Sequence, residues 1–401
     1  MKQGWGIKRL CEVALVSSGN SAPQKKELFE NGIYPFIRTS DIGQIKKGFI
    51  RTCADYLNKD GIKGLKLYKK GTILFPKSGA STFLNHRVMM EIDSYVSSHL
   101  ATIKADNSIA DDRFILYFLT TIDARDLMQD IAYPSLKISD IGLIEIPLPP
   151  LPEQQRIVAI LDESFAAIAK AKSNAEQNLK NAKELFESYL QNVFENKGDS
   201  WEEKTLGEIA AFRNGMNFTK SSKGEKIKIV GVKNFQNSFW VPFETLETAI
   251  LDGKLNDVDL LNEGDILAVR SNGNPQLIGR TLLASEVTGK VSHSGFTIRI
   301  RLNTKNIDPI YLCNFLKITK TRKILIDGGN GVGIKSLNQG SLSALTIPFP
   351  KSLNEQQAIV QKLDALSAQT KQLEAIYQQK LTALDELKKS ILNQAFSGQL
   401  S

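Results

Sequence analysis

Ile146 to Val158 reads Ile-Pro-Leu-Pro-Pro-Leu-Pro-Glu-Gln-Gln-Arg-Ile-Val, and Ile347 to Val360 reads Ile-Pro-Phe-Pro-Lys-Ser-Leu-Asn-Glu-Gln-Gln-Ala-Ile-Val. Both run Ile-Pro-x-Pro, then Glu-Gln-Gln, then a long helical pattern. The register holds downstream. Gln154 matches Gln356, an offset of 202 (356 − 154), and the same offset pairs Leu161 with Leu363, Asp162 with Asp364, Glu184 with Glu386, and Phe194 with Phe396. A match kept over roughly forty residues is an internal repeat.

Each copy predicts one long helix, because no Pro or Gly interrupts it between Glu-Gln-Gln and the terminal Phe. A seam alternating steps of four and three runs through Ile157, Leu161, Ser164, Ile168, Ala171, Ala175, Asn178, Ala182, Leu185 and Tyr189. Its counterpart runs through Ile359, Leu363, Leu366, Thr370, Leu373, Tyr377, Lys380, Leu384, Leu387 and Ile391. Such heptad stripes predict that the two helices pack on each other, small residues against large. Two amphipathic helices lying on separate cores are the alternative.

A globular stretch precedes each helix, and the two stretches echo. Trp-Gly-Ile-Lys-Arg-Leu-Cys-Glu at Trp5 to Glu12 matches Trp-Glu-Glu-Lys-Thr-Leu-Gly-Glu at Trp201 to Glu208. Gly-Thr-Ile-Leu at Gly71 to Leu74 matches Gly-Asp-Ile-Leu at Gly264 to Leu267, and Val96 to Ile103 matches Val291 to Ile298. Short β-like runs are predicted at Tyr34 to Arg38, Gly71 to Phe75 and Tyr95 to Ile103, and a helix from about Asp112 to Asp130. The expected fold class is α+β. Two α/β globular domains stand at opposite ends of a rod of two long antiparallel coiled-coil helices, related by a pseudo-two-fold internal repeat. The expected boundaries are 1–145, 146–197, 198–346 and 347–401. A tandem of this kind imitates a homodimer within one chain, and a DNA reader built so contacts two half-sites at a fixed separation.

The 401 residues carry 51 Lys and Arg against 43 Asp and Glu, a net charge of +8. That balance favours a polyanionic partner. No apolar run approaches the roughly 18 residues of a membrane span, the start lacks a signal-peptide core, and Cys11, Cys53 and Cys313 lie too far apart for a metal knuckle. A cytoplasmic chain without membrane contact is expected.

Catalytic motifs are missing. Gly328 to Ser336, Gly-Gly-Asn-Gly-Val-Gly-Ile-Lys-Ser, lacks the Gly-Lys pair of a phosphate loop and reads as a surface turn. Ser271 to Gln276 lacks the second Pro and the aromatic of an amino-methyltransferase motif, and no Pro-Asp opens a nuclease signature. His86, His99 and His293 are scattered; half-buried strand positions are expected for them rather than base or phosphate contacts. No catalytic residue and no bound metal or cofactor is expected.

Basic and amide residues near turns are better candidates for duplex DNA, since Arg and Asn read base edges while Lys more often meets phosphates. In the first globular stretch these are Arg38, Ser40, Lys77, Ser78, Arg87 and Lys137. In the second they are Arg213, Asn214, Lys233, Asn234, Arg270, Asn272, Asn274, Arg280 and Lys335. Lys77 and Arg270 stand out, because each follows the Gly-x-Ile-Leu strand at one frame position.

These residues also carry a resemblance. The doubled segments at Pro147 to Gln155 and Pro348 to Gln357, the openings at Trp5 and Trp201, and the Gly-Asp-Ile-Leu frame leading to Arg270 and Ser271 resemble type I restriction-modification specificity subunits across essentially the whole chain. The second copy departs at Lys351, Ser352 and Asn354. The resemblance implies two target recognition domains, each reading half of a split DNA sequence, with the paired helices as spacer and docking surface. On that reading Glu153, Gln154, Gln155, Glu355, Gln356 and Gln357 face partner subunits. The implied partners are two methyltransferase subunits, which bind S-adenosylmethionine, and restriction subunits that translocate with ATP and Mg. The chain itself is then non-catalytic. A coiled-coil scaffold displaying two heads for protein partners is the competing class, and a stand-alone nuclease or methyltransferase is disfavoured by the absent motifs.

Overall fold

The computed structural model describes residues 4–128, 134–218, 222–236, 238–252, 255–327 and 336–400. Two compact units emerge, Met1–Ala175 with Gln379–Ser401, and Glu176–Gln378. Both long helices form, Leu151–Glu195 and Leu353–Ser397. Pro152 falls in the first turn of the first helix, where its missing N–H has no partner to lose. Each compact unit takes one globular repeat and part of each helix, so the division cuts both helices internally rather than at their ends.

In unit 1 a five-stranded sheet is ordered Ala14–Ser18, Leu100–Ala105, Ile73–Pro76, Arg87–Met90, Lys47–Ile50, antiparallel except for the last pair. A three-stranded sheet joins Asp55–Leu57, Tyr34–Ile37 and Tyr95–Val96. The Ile-Pro-Leu segment pairs back to the start of the chain, Ile7 opposite Pro147; a two-stranded ribbon is all edge, which is where Pro fits. Unit 2 repeats this plan. It has a four-stranded sheet of Ala210–Asn214, Thr297–Leu302, Ile266–Val269 and Thr281–Leu283, and a three-stranded sheet around Lys226–Val230. Its ribbon joins Trp201–Thr205 to Thr346–Pro350.

The structure shifts one echo. Ile73 pairs with Ile103 and Ile266 with Ile300, so the third matched strand keeps an offset of 197 (300 − 103), not 195 (291 − 96). His293 therefore stands where unit 1 has Val96, and Phe296 where it has His99. The single run expected at Tyr95 to Ile103 is two strands, Tyr95–Val96 and Leu100–Ala105. The helix expected to reach Asp130 stops at Leu119, and a 3₁₀ turn follows at Ala124–Leu127.

Within unit 1 the helices run antiparallel. Arg156 donates to the Leu400 carbonyl at 2.9 Å, the Lys388 ammonium sits 4.6 Å from the Phe165 ring centre, and Lys172 meets Asp385 at 2.9 Å. Ile157, Leu161, Leu392 and Ala395 enter one core with Phe114 and Ile146; each such side chain contributes about 1.5–3 kcal/mol on burial. In unit 2, Leu190, Phe194, Val360 and Leu363 do the same with Tyr311 and Ile347. The inward stripe departs from a strict heptad. Asn178, Leu185, Lys380 and Leu387 face outward, and Leu179, Phe186, Leu381 and Lys388 are the better-covered neighbours. Both helices slip by one residue at positions related by 202 (380 − 178; 387 − 185). An α-helix turns about 20° per heptad against a 3.5-residue repeat, so a stripe this long drifts onto the next residue.

The Glu-Gln-Gln triplets do not act as a unit. Gln154 and Gln356 are fully buried. The Gln154 amide oxygen accepts from the Asp111 N–H at 2.9 Å, and its NH₂ donates to the carbonyls of Ile109 and Pro149. Gln356 repeats the pattern with Asp308, Asn306 and Pro350 at 2.8–2.9 Å. Each clamps a long helix to the Asp that caps a shorter one, Asp112–Leu119 or Pro309–Lys317. Their expected partner-facing role is thereby corrected: a buried primary amide needs its bonds satisfied internally, and these are. Gln155 and Gln357 are exposed. Glu153 pairs with Arg156, and Glu355 accepts from the Trp201 indole.

Candidate nucleic-acid interface

In each unit the strand ends gather a set of turns, and the two sets match in their backbone bonds. The Lys77 N–H donates to the His99 carbonyl at 3.0 Å, and the Lys77 carbonyl accepts from Leu136 at 2.7 Å. Arg270 does the same with Phe296 and Leu337, both at 2.8 Å. Lys77 and Arg270 are thus one structural position. Gly19 and Gly215 are another, because a Cβ at either would overlap the carbonyl oxygen of Ser97 or Ser294; the chains approach here as only Gly permits. In a third turn, Asp41 accepts from the Arg38 N–H at 2.7 Å, and Asn234 accepts from the Gly231 N–H at 2.8 Å. Ser40 and Lys233, exposed in those turns, correspond.

The candidate side chains divide by what holds them. Those of Lys77, Lys137 and Arg270 have no ionic or hydrogen-bonding partner among the described residues. Ser78 holds the exposed His99 ring through Nδ1 at 2.7 Å. Arg38 bonds the Asp55 carboxylate between the rings of Phe29 and Phe36, 5.4 and 5.3 Å away. Arg213 bonds Asp259 at 2.6 Å, Lys233 pairs with Glu247, and Arg280 donates to the carbonyls of Gln236 and Gln276 at 2.8 and 3.2 Å. Asn272 and Asn274 accept from backbone N–H groups in their own turns, as Asn side chains commonly do. Lys335 lies outside the described residues, as does most of Gly328 to Ser336.

Arg87 is a correction. It is fully buried, its guanidinium carbon 3.3 Å from the centre of the Phe75 ring, and it donates to the His86 carbonyl at 2.8 Å. Burial pushes its pKa down to about 9, opposed by Asp123. A side chain so enclosed supports the sheet and does not reach a ligand at the surface. His293 is buried too, more deeply than expected; its Nδ1 shares a hydrogen with Thr297 at 2.9 Å.

Two aromatics escaped the sequence reading. Phe296, 61% exposed, and Phe218, 40% exposed, flank a recess of about 530 Å³ that Lys233, Ser271 and Asn272 also line. Exposed rings among cations and amides are the ingredients of nucleic-acid contact. Only the corrected strand register, which puts Phe296 in the place of His99, marks the first of them.

Residues 2–178 and 198–383 each match the type I restriction modification DNA specificity domain. The chain belongs to this family. As a member it is similar to the StySPI specificity subunit of Salmonella potsdam, 23% identical over 425 residues, covering all of this chain and 90% of that protein. The MjaIX specificity subunit of Methanocaldococcus jannaschii is 33% identical over 175 residues, 41% of this chain and 39% of that protein's length. Among solved structures, the specificity-subunit fold recurs in the HsdS subunit of Thermoanaerobacter tengcongensis, with a TM-score of 0.63, 21% identity, and 99% of this chain and 98% of that one covered. It recurs at 0.77, with 20% identity and 100% and 99% coverage, in a chain from a study of type I R-M complex assembly and conformational transition. The family member is therefore a mixed α/β protein with two repeated domains and long helices. No described helix is long and apolar enough to cross a membrane.

Proposed function

We propose that the chain is the DNA-reading specificity subunit of a type I restriction-modification complex, with each repeat reading one half of a bipartite target. The observation that carries this is the matched position of Lys77 and Arg270. One backbone frame presents, in both repeats, a cation without an ionic or hydrogen-bonding partner among the described residues, inside turns whose other side chains differ. A common frame supports common placement on the duplex, and divergent turns support different half-sites. Arg270 is the base-reading candidate and Lys77 a phosphate contact. Exposed Gln155 and Gln357 remain candidates for facing partner subunits. Adenine methylation, with S-adenosylmethionine, would belong to two methyltransferase subunits, and ATP- and Mg-dependent cleavage to restriction subunits. This chain would supply no catalytic group.

The test is methylome sequencing of a host carrying the chain with its methyltransferase partner. Arg270→Ala should relax one base position in one half-site, at a cost of about 1–3 kcal/mol, while Lys77→Ala weakens all sites alike. An unchanged methylation pattern in Arg270→Ala would reject the assignment of that residue. Salt-independent binding of duplex DNA by the partnered chain would reject the reading as a whole and favour a protein-binding scaffold.

A further inference from the structure

Where the long helices meet the shorter capped one, the two repeats differ in one side-chain cluster. In unit 1, Arg113 bonds Asp162 at 2.6 Å, the Tyr117 hydroxyl bonds the same carboxylate, and the Tyr117 ring stacks edge-on against Phe165 at 5.5 Å. The Gln clamps and helix caps fix the correspondence with unit 2: Ile310 for Arg113, Asn314 for Tyr117, Asp364 for Asp162 and Ser367 for Phe165. Two rings and a guanidinium have been exchanged for an amide, a hydroxymethyl and a butyl group. The space is left as a cavity of about 790 Å³, with Asn314, Asp364 and Ser367 in its wall, within the range of small-molecule sites.

The same wall has gained charge. Lys317, mostly buried, donates to the Thr281 carbonyl at 2.8 Å and lies 5.1 Å from the Phe239 ring centre. Its ammonium carries three N–H groups, and the Thr281 carbonyl is its one hydrogen-bond acceptor among the described residues. Arg280 and Arg322 hold backbone carbonyls, Gln236 and Ile278, rather than carboxylates. Exposed Lys371 stands on the second long helix. Neither carboxylate of the wall, Glu187 or Asp364, forms an ion pair with any of these four cations among the described residues; Glu187 instead accepts from the Thr319 hydroxyl at 3.0 Å. Crowding and burial depress the Lys317 pKa, burial being the larger cause. Four cations against the two carboxylates of Glu187 and Asp364, the latter within the field of Lys371, leave the wall with an excess of positive charge that favours an anion from outside. At the rim the Trp240 ring, 41% exposed, meets Phe239 edge-on at 5.1 Å, a platform for a planar ring.

We propose that this cavity binds a nucleoside phosphate, its phosphates on Lys317, Arg280, Arg322 and Lys371 and its base against Trp240 and Phe239. The site is confined to the second repeat; it takes Arg280 out of the set of DNA candidates and includes neither Arg270 nor the Ser271 to Asn274 turn. The purified full chain is titrated with ADP, following Trp240 emission and calorimetric heat, with Trp240→Phe as the optical control. ADP should bind. Ser367→Phe, which restores the ring of unit 1, should weaken it at least tenfold while leaving the unfolding temperature unchanged, and Lys371→Glu, at an exposed position, should weaken it several-fold. No binding at millimolar ADP, or equal binding by wild type and both variants, overturns the proposal. Pyrophosphate binding as tightly as ADP overturns the assignment of the base. Displacement of ADP by equimolar duplex DNA overturns the separation from the DNA-reading turns.

Discussion

Lys77 and Arg270 share one position in the strand-end turns; Asp162 and Asp364 share one position on the long helices. The first pair keeps its surroundings, because backbone bonds to the neighbouring turns define it and any side chain can hang from that frame. The second pair does not. Asp162 is held by Arg113 and Tyr117, whereas Asp364 borders a cavity, because that neighbourhood consists of side chains and changed when they did. At these two pairs duplication preserved what the main chain dictates and released what the side chains dictate; the Gln154 and Gln356 clamps are side-chain bonds that it kept.

The largest test of that contrast strikes the backbone. Gly19→Ala and Gly215→Ala each place a methyl group into a carbonyl oxygen of the facing strand, and each should cost about 3 kcal/mol or more. Hydrogen exchange in Leu100–Ala105 and Thr297–Leu302 reads the two effects separately. Equal losses sharpen the common frame, and tolerance in one repeat alone would break it. Next, Gln154→Ala and Gln356→Ala remove the clamps and strand buried N–H and C=O groups, for about 2–3 kcal/mol each in urea unfolding.

The third test uses acid. Burial, aided by Arg299, holds His293 neutral with a pKa of about 3, against an ordinary 6.5. The unfolded chain therefore takes the proton first. Stability present above pH 6.5 is lost as pH falls towards 3, by about 2 kcal/mol at pH 5. Unit 1 has Val96 in that place and carries a smaller loss of the same sign from His86, whose pKa burial also lowers; His293→Val should remove the larger loss in unit 2, and denaturant midpoints at pH 7 and pH 5 check both. Smallest of all, Asp162→Ala should cost about 1 kcal/mol, since the Arg113 pair is partly exposed, while Asp364→Ala should stay within about 0.5 kcal/mol. Burial raises the Asp364 pKa against the opposing pull of Lys371, so its charge adds little to the fold. A double-mutant cycle with Arg113 separates these outcomes.

Much of this architecture was legible because repetition is a pattern of letters. The Glu-Gln-Gln copies revealed two helices, and Gly-x-Ile-Leu revealed that Lys77 and Arg270 are counterparts. What stayed hidden depended on direction. Gln154 and Gln155 look alike in sequence, yet a rotation of about 100° per residue sends one inward to three acceptors and donors and the other to water. Arg87 reads as a surface charge until a Phe75 ring is found beneath it. The heptad template missed the slip at Asn178 and Lys380 because drift accumulates over many turns. The strand register went astray by two residues because small insertions in divergent turns leave no mark in a strand of Ser, Thr and aliphatic residues. Phe296 was lost with it.

The division of each long helix between units has a consequence for biosynthesis. Leu392, Ala395 and Phe396 complete the core of the first unit, and Arg156 reaches the carbonyl of Leu400. The core of the amino-terminal repeat is therefore complete only once Leu392 to Leu400 have left the ribosome. The second unit, contiguous from Glu176 to Gln378, closes before it. Residues of the second unit are thus all synthesised before the first unit can close, and a nonsense codon between Gln378 and Leu392 would strip the first unit of its late core residues while leaving the second unit's segment whole.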